Sequence, residues 1–312
     1  MPLAPRLLAV AVGLSLGAAV LWASYYIFVL AVTPGAAPSA VFVLPFLFGG
    51  IAYALWACAT GQGSAFLAIW RQPAAWYRVA LLLAMQLSVL ASTYVAGPVD
   101  TSLLSLIGDV VLTPVLVAIG IAAYRDRLGA PLLWLGMGLC LAGGGLAIVG
   151  NQRLTAVHGA GYLLVIAIPL TVALYFLSTA RENERSPAAA VVAQSMLAAG
   201  LLALPLAVLL PGGLGGIAAV RPGPMLLLLA TGLSSFFLAP AMYFASIRSA
   251  GLVVPPLMMT GIPVFAALLG WGVLGIAIPT LGLIGIPAAV VGALLALRAE
   301  TRPPAGGAPA PD

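Results

Sequence analysis

The sequence predicts an all-α polytopic membrane protein of ten transmembrane helices in two inverted five-helix repeats. Three observations predict it: too little charge to coat a water-facing surface, apolar runs of spanning length, and rare residues that recur at one constant interval. Charged residues are 6% of 312 positions and hydrophobic ones 63%, whereas soluble domains carry about 25% charge. So much apolar surface needs a solvent that accepts it, and a bilayer does.

The runs are cut by proline, glycine and charge. A hydrocarbon core about 30 Å thick takes about 20 apolar residues per helix. Spans are expected over 9–33, 37–60, 77–97, 101–124, 130–150, 159–180, 187–210, 224–246, 250–272 and 277–298. The first follows Arg6 and runs through Trp22, Tyr25, Tyr26 and Phe28 to Thr33, so it reads as a retained span rather than a signal peptide. Gly97-Pro98-Val99-Asp100 separates the third from the fourth, and Arg125-Asp126-Arg127 closes the fourth. Residues 151–158, ending at His158, form the loop between the halves 9–150 and 159–298. Arg181, Glu182, Glu184 and Arg185 read as a solvated loop after the sixth span, and 299–312 as a disordered Pro/Gly/Ala tail.

Arginine placement sets the orientation. With the N-terminus in the cytoplasm, ten arginines, among them Arg71, Arg78 and Arg248, fall inside, and only Arg153 and Arg221 fall outside. That positive-inside bias supports an even number of spans with both termini cytoplasmic. The repeat has an offset of 149 residues: Tyr26 pairs with Tyr175, Tyr94 with Tyr243, Pro38 with Pro187, Pro114 with Pro263, Gly136 with Gly285 and Gly143 with Gly292. Five helices per half place the second half upside down, a common transporter design with its site between the halves.

At the fourth and fifth spans, Thr113-Pro114-Val115 leads to Tyr124-Arg125-Asp126-Arg127-Leu128, then Trp134-Leu135-Gly136 and Gly143. This pattern, repeated around Ile262-Pro263-Val264 and Gly285 to Gly292, resembles the EamA-type drug/metabolite transporter superfamily. The resemblance runs over about residues 9–298 and implies a ten-helix secondary transporter. It departs at Asp126, where the family usually has glutamate, and at Leu274-Gly275-Ile276, which lacks the acid.

Asp109 is the candidate proton or cation site, because a carboxylate at a helix centre costs roughly 2.5–3.5 kcal/mol to insert. Ser102, Ser105, Asp109 and Thr113 form one helical stripe that reads as a cavity lining. Met258 is the aligned residue in the second half, so any such site is asymmetric. Gln86, Gln194 and Ser234 are candidate hydrogen-bonding groups. Trp22, Tyr26 and Tyr175 are candidate stacking groups near mid-span. Tyr94 and Tyr243, near helix ends, read as interfacial-belt residues. Pro114 and Pro263 are candidate hinges, and the glycines of the fifth and tenth spans are packing sites.

These features predict a secondary transporter by alternating access, an exporter of a small metabolite such as an amino acid or drug-like amphiphile, with Asp109 as the candidate proton-coupling group. A non-transporting scaffold or receptor and an intramembrane enzyme are the alternatives. The latter would need paired acids, a Ser/His set or metal ligands. With no lysine there is no Walker loop, and two cysteines and one histidine argue against a metal. Neither cofactor nor nucleic acid is expected. The expected partners are a small-molecule substrate, the bilayer of a bacterial inner membrane and protons, with the chain a monomer or homodimer.

Overall fold

The structure, a computed structural model, describes residues 5–96, 101, 129–149, 160–183, 185–250, 255, 258–259, 261–278 and 280–301. Every regular element among these is helical: α1 (Pro5–Val32), α2 (Pro38–Ala59), α3 (Gly63–Ile69), α4 (Pro73–Ala96), α5 (Pro131–Val149), α6 (Ala160–Asn183), α7 (Ala188–Leu206), α8 (Gly213–Ala218), α9 (Pro222–Thr231), α10 (Ala239–Ala250), α11 (Gly261–Leu274) and α12 (Thr280–Thr301). A π-helical segment, Gly232–Leu238, joins α9 to α10 in one continuous rod. Proline opens α2, α4, α5 and α9, where its missing N–H would have had no helical partner anyway.

Five described stretches are long and apolar enough to cross a membrane: Arg6–Val32, Pro38–Ala59, Pro73–Tyr94, Ala188–Leu209 and Pro222–Ser249. Their ends fall within a few residues of the sequence expectation. Of the ninth expected span, most of residues 251–260 lie outside the described residues, and α11 covers Gly261–Leu274. The short helices α3 and α8 lie in connections read as loops.

Large apolar side chains such as Leu55, Leu135, Leu226, Trp271 and Leu294 cover the outside. Ser15, Gln86, Thr93, Gln194 and Ser246 are buried within. This inverts the usual soluble distribution and fits a lipid surround. Inside, helices pair across the chain: α1 with α10 and α11, α4 with α6, α2 with α7, and α5 with α12. Ser246 on α10 donates to the Ala11 carbonyl of α1 at 2.8 Å, and its hydroxyl also meets that of Ser15 at 2.7 Å.

The α5–α12 crossing is the tightest in backbone terms. A Cβ on Gly136 would lie 2.6 Å from the Gly292 carbonyl oxygen, and one on Gly143 would lie 2.5 Å from that of Gly285. Cys140, between them, donates its thiol to the Ala289 carbonyl at 3.2 Å. Position numbers rise along one helix as they fall along the other, so the two run antiparallel. The same antiparallel fit holds α2 on α7, where Gly50 faces Leu197 and Gly200 faces Leu47. The glycines of the α5–α12 crossing belong to the fifth and tenth spans, where packing is expected, whereas Gly50 and Gly200 are not singled out by the sequence; backbone-to-backbone approach is why nothing larger fits.

Candidate functional site

A central cavity lies where α1, α4, α6, α7, the π segment, α10 and α11 converge. Its α4 wall is Leu82, Met85, Gln86 and Val89, and its α6 wall is Val172, Tyr175 and Phe176. Both sets follow the i, i+3, i+4 spacing of a single helix face. Trp22, Tyr25 and Tyr26 enter from α1, and Ser235 and Phe236 from the π segment. The space is about 80 Å³, a few waters' worth and well below the 300–1,000 Å³ of ligand pockets. A second cleft of about 520 Å³ lies between Pro38, Leu87, Leu90, Tyr94 and Pro211. Its wall is mainly leucine and proline, so the central cavity has the better set of converging polar groups.

The π segment has a local cause. Pro240 has no N–H, so a carbonyl one turn earlier loses its in-helix donor. The Ala239 N–H bonds back to the Ser234 carbonyl, five residues away, which leaves the Ser235 carbonyl for an outside partner. Trp22 supplies it, its indole N–H donating at 2.9 Å. The Ser235 hydroxyl in turn donates to the Leu21 carbonyl at 2.7 Å. Two reciprocal bonds thus pin α1 to the opposite half beside the cavity, at the kind of π-bulge that often marks a working site. Trp22→Phe is expected to leave that carbonyl unpaired and cost about 1–3 kcal/mol, read as a lower unfolding midpoint in detergent.

Below the aromatic chamber, both walls continue onto charge. Arg78 lies one turn before Leu82 on α4, and Thr179 and Glu182 follow Tyr175 on α6. Arg78 is 1% exposed, and its Nη1 meets Glu182 Oε2 at 3.3 Å. Ser186 donates to the other Glu182 oxygen at 2.9 Å. Arg78 Nε and Nη2 and the Tyr175 and Tyr53 hydroxyls are buried without a hydrogen-bond partner. Thr179 sits beside the Tyr175 hydroxyl, though no hydrogen bond satisfies its own oxygen. The pair lies about one to two turns beyond the lining residues of α4 and α6.

The structure brings four of the sequence-selected residues, Trp22, Tyr26, Gln86 and Tyr175, to one cavity. Gln86 donates its amide to the Tyr25 hydroxyl, holding both against the wall. Gln194 is fully buried in α7 away from the lining, with its Nε2 unpartnered. Ser234 bonds locally to the Thr231 carbonyl at 3.4 Å, and its neighbour Ser235 is the one that reaches the cavity. Pro263 is the third residue of α11 and is buried. Asp109, Ser105, Thr113 and Pro114 lie outside the described residues.

Two expectations are corrected. Tyr243 is fully buried, packed at 5.3 Å from Trp22 and 4.8 Å from Phe176 between ring centres, so it is a core residue and not a belt residue. Glu182 belongs to α6 and is buried against Arg78, not part of a solvated loop. Arg78, 1% exposed, correspondingly points into the bundle. Its stripe with Leu82, Gln86 and Val89 was the available sequence signal.

Comparison with known proteins agrees with this architecture. Residues 159–298 match the family model of the EamA-like transporter family. Over those residues the chain is similar to that family, and its apolar helices are long enough to cross a membrane. No curated protein matches the chain. One solved crystal structure of a protein superposes on 93% of this chain and 98% of its own, with a TM-score of 0.73 at 20% identity. At that identity the likeness establishes the fold.

Proposed function

We propose that the protein is a secondary transporter that exports a small amphipathic metabolite by alternating access between two inverted five-helix repeats. One observation carries the reading: the cavity is lined in register by both halves. Tyr26 and Tyr175 stand 149 residues apart, as do Gln86 and Ser235, and all four line it. The α5–α12 crossing supports the same two-fold relation. Gly136 meets Gly292 while Gly143 meets Gly285, and Cys140 meets Ala289, its own equivalent at the 149-residue offset. A two-fold axis running between Cys140 and Ala289 generates that exchange of partners. The narrow cavity then represents a contracted state, and rocking of the halves widens it to admit a ligand from one side at a time.

In this reading the protein resides in a bacterial inner membrane with both termini cytoplasmic, as the arginine bias supports. Asp109 carries the coupling proton, because a lone intramembrane carboxylate is functional by default. The test is flux of a candidate metabolite panel in sealed proteoliposomes, with and without a proton gradient. Gradient-driven flux is expected in the wild type and not in Asp109→Asn. Gln86→Leu is expected to slow flux about tenfold, the equivalent of one neutral hydrogen bond of about 1–1.5 kcal/mol. Equal flux in protein-free vesicles across the whole panel would refute transport.

A further inference from the structure

We propose that the buried charged pair beyond the cavity lining is an anion site, in which Arg78 and the Tyr175 hydroxyl receive a carboxylate of the transported molecule and Glu182 is the resident counter-ion it displaces. The proposal rests on the transport reading and specifies its substrate class, a monocarboxylate with an apolar body.

The geometry of the pair points there. A guanidinium offers five N–H groups in a rigid fork, and a buried arginine that serves structure alone is usually met by a carboxylate on two of them. Here Glu182 engages only Nη1, through one oxygen at 3.3 Å. Its other oxygen is held by Ser186. The Nε–Nη2 edge, the side of the fork that matches the two oxygens of a carboxylate, is buried and unpartnered. The Tyr175 hydroxyl, on the facing helix α6 that packs on α4, is buried and without a hydrogen bond of normal geometry, as is the Thr179 hydroxyl one turn on. The free Nε and Nη2 groups of Arg78 can only donate, and the Tyr175 and Thr179 hydroxyls can donate as well, so an anion can satisfy them where an ammonium group cannot; among the described residues, Asn183 Oδ1 is the one unsatisfied acceptor on this stretch of α6. A single arginine already shared with Glu182 suits one negative charge better than the two of a phosphate.

Position supplies the rest. Arg78 continues the face of Leu82 and Gln86, and Glu182 continues that of Tyr175, so the anion site and the aromatic chamber share both walls. One helical turn is 5.4 Å, so a ligand whose head reaches Arg78 places its apolar body between Tyr26, Tyr175 and Phe176. Seating the head requires Glu182 to release Arg78, which loosens the link between α4 and α6.

The test is calorimetric binding to the full-length chain in nanodiscs, using 3-phenylpropionate and octanoate, each against its neutral amide. Wild type is expected to bind each acid at least tenfold more tightly than its amide. Glu182→Gln, which removes the competing charge, is expected to tighten the acids about tenfold and leave the amides unchanged. The double variant Arg78→Gln/Glu182→Gln, neutral at both positions, is expected to bind acid and amide alike. If the single variant does not fold, the wild type and the double variant decide the matter. No preference for the acids in wild type, with or without measurable binding, overturns the site, as does a preference that survives in the double variant. Flux separates this from the broader reading. Amides carried as fast as acids leave transport standing and remove the anion site. Acids bound with the expected preference but not carried leave the site standing and remove transport.

Discussion

Arg78→Met is expected to destabilise the folded protein by about 3–5 kcal/mol, because it strands the Glu182 carboxylate in the bundle without its counter-charge. The carboxylate would keep only the Ser186 hydroxyl at 2.9 Å. Replacing both partners removes the stranded charge along with the attraction. Arg78→Met/Glu182→Met is therefore expected to be near wild type in stability, or more stable by about 1–4 kcal/mol. Unfolding in mixed micelles measures both. A single variant no less stable than the double would mean that the side chains are wet and the pair is a surface contact.

Gly292→Leu is the second large effect. A Cβ there would stand 2.6 Å from both the Gly136 oxygen and the Cys140 nitrogen. These are backbone atoms of a helix and cannot rotate aside, so α5 and α12 must separate. Overpacking costs about 1–3 kcal/mol in adaptable cores, and this site is expected at or above the top of that range. Gly138→Leu, on the same α5 but with nothing within 4 Å of its Cβ, is the control and is expected to be neutral. Melting of the two variants side by side distinguishes a packing clash from a general dislike of leucine on that helix.

The helices were legible in the sequence because each is a run of spanning length punctuated by proline or charge, and both signals are local. The glycines of the α5–α12 crossing were legible because the 149-residue register repeats them. Trp22, Tyr26, Gln86 and Tyr175 were found as polar or aromatic groups in apolar helices, and that rarity is itself a local signal. What escaped depends on partners far along the chain. The π segment needs Pro240 and an indole 213 residues away to stabilise it. Arg78 and Glu182 lie near predicted helix ends, where the one reads as a cytoplasmic-side arginine and the other as part of a solvated loop. Only the packing of α4 on α6, 104 residues apart, turns them inward. Tyr243 misled for the same reason, since a tyrosine near a span's end looks like a belt residue until Trp22 and Phe176 close over it. The polar stripe of Asp109 lies outside the described residues, so its chemistry stays with the flux assay.

The central claim is that two halves enclose one cavity and expose it alternately. Its most direct test is a single cysteine at Ser235, in a background with Cys58→Ser and Cys140→Ala, probed with a membrane-impermeant thiol reagent applied to either face of the membrane. Alternating access predicts labelling from each face, with a ratio that shifts when a transported substrate is added. Labelling from neither face, or from one face only whatever is added, would contradict it.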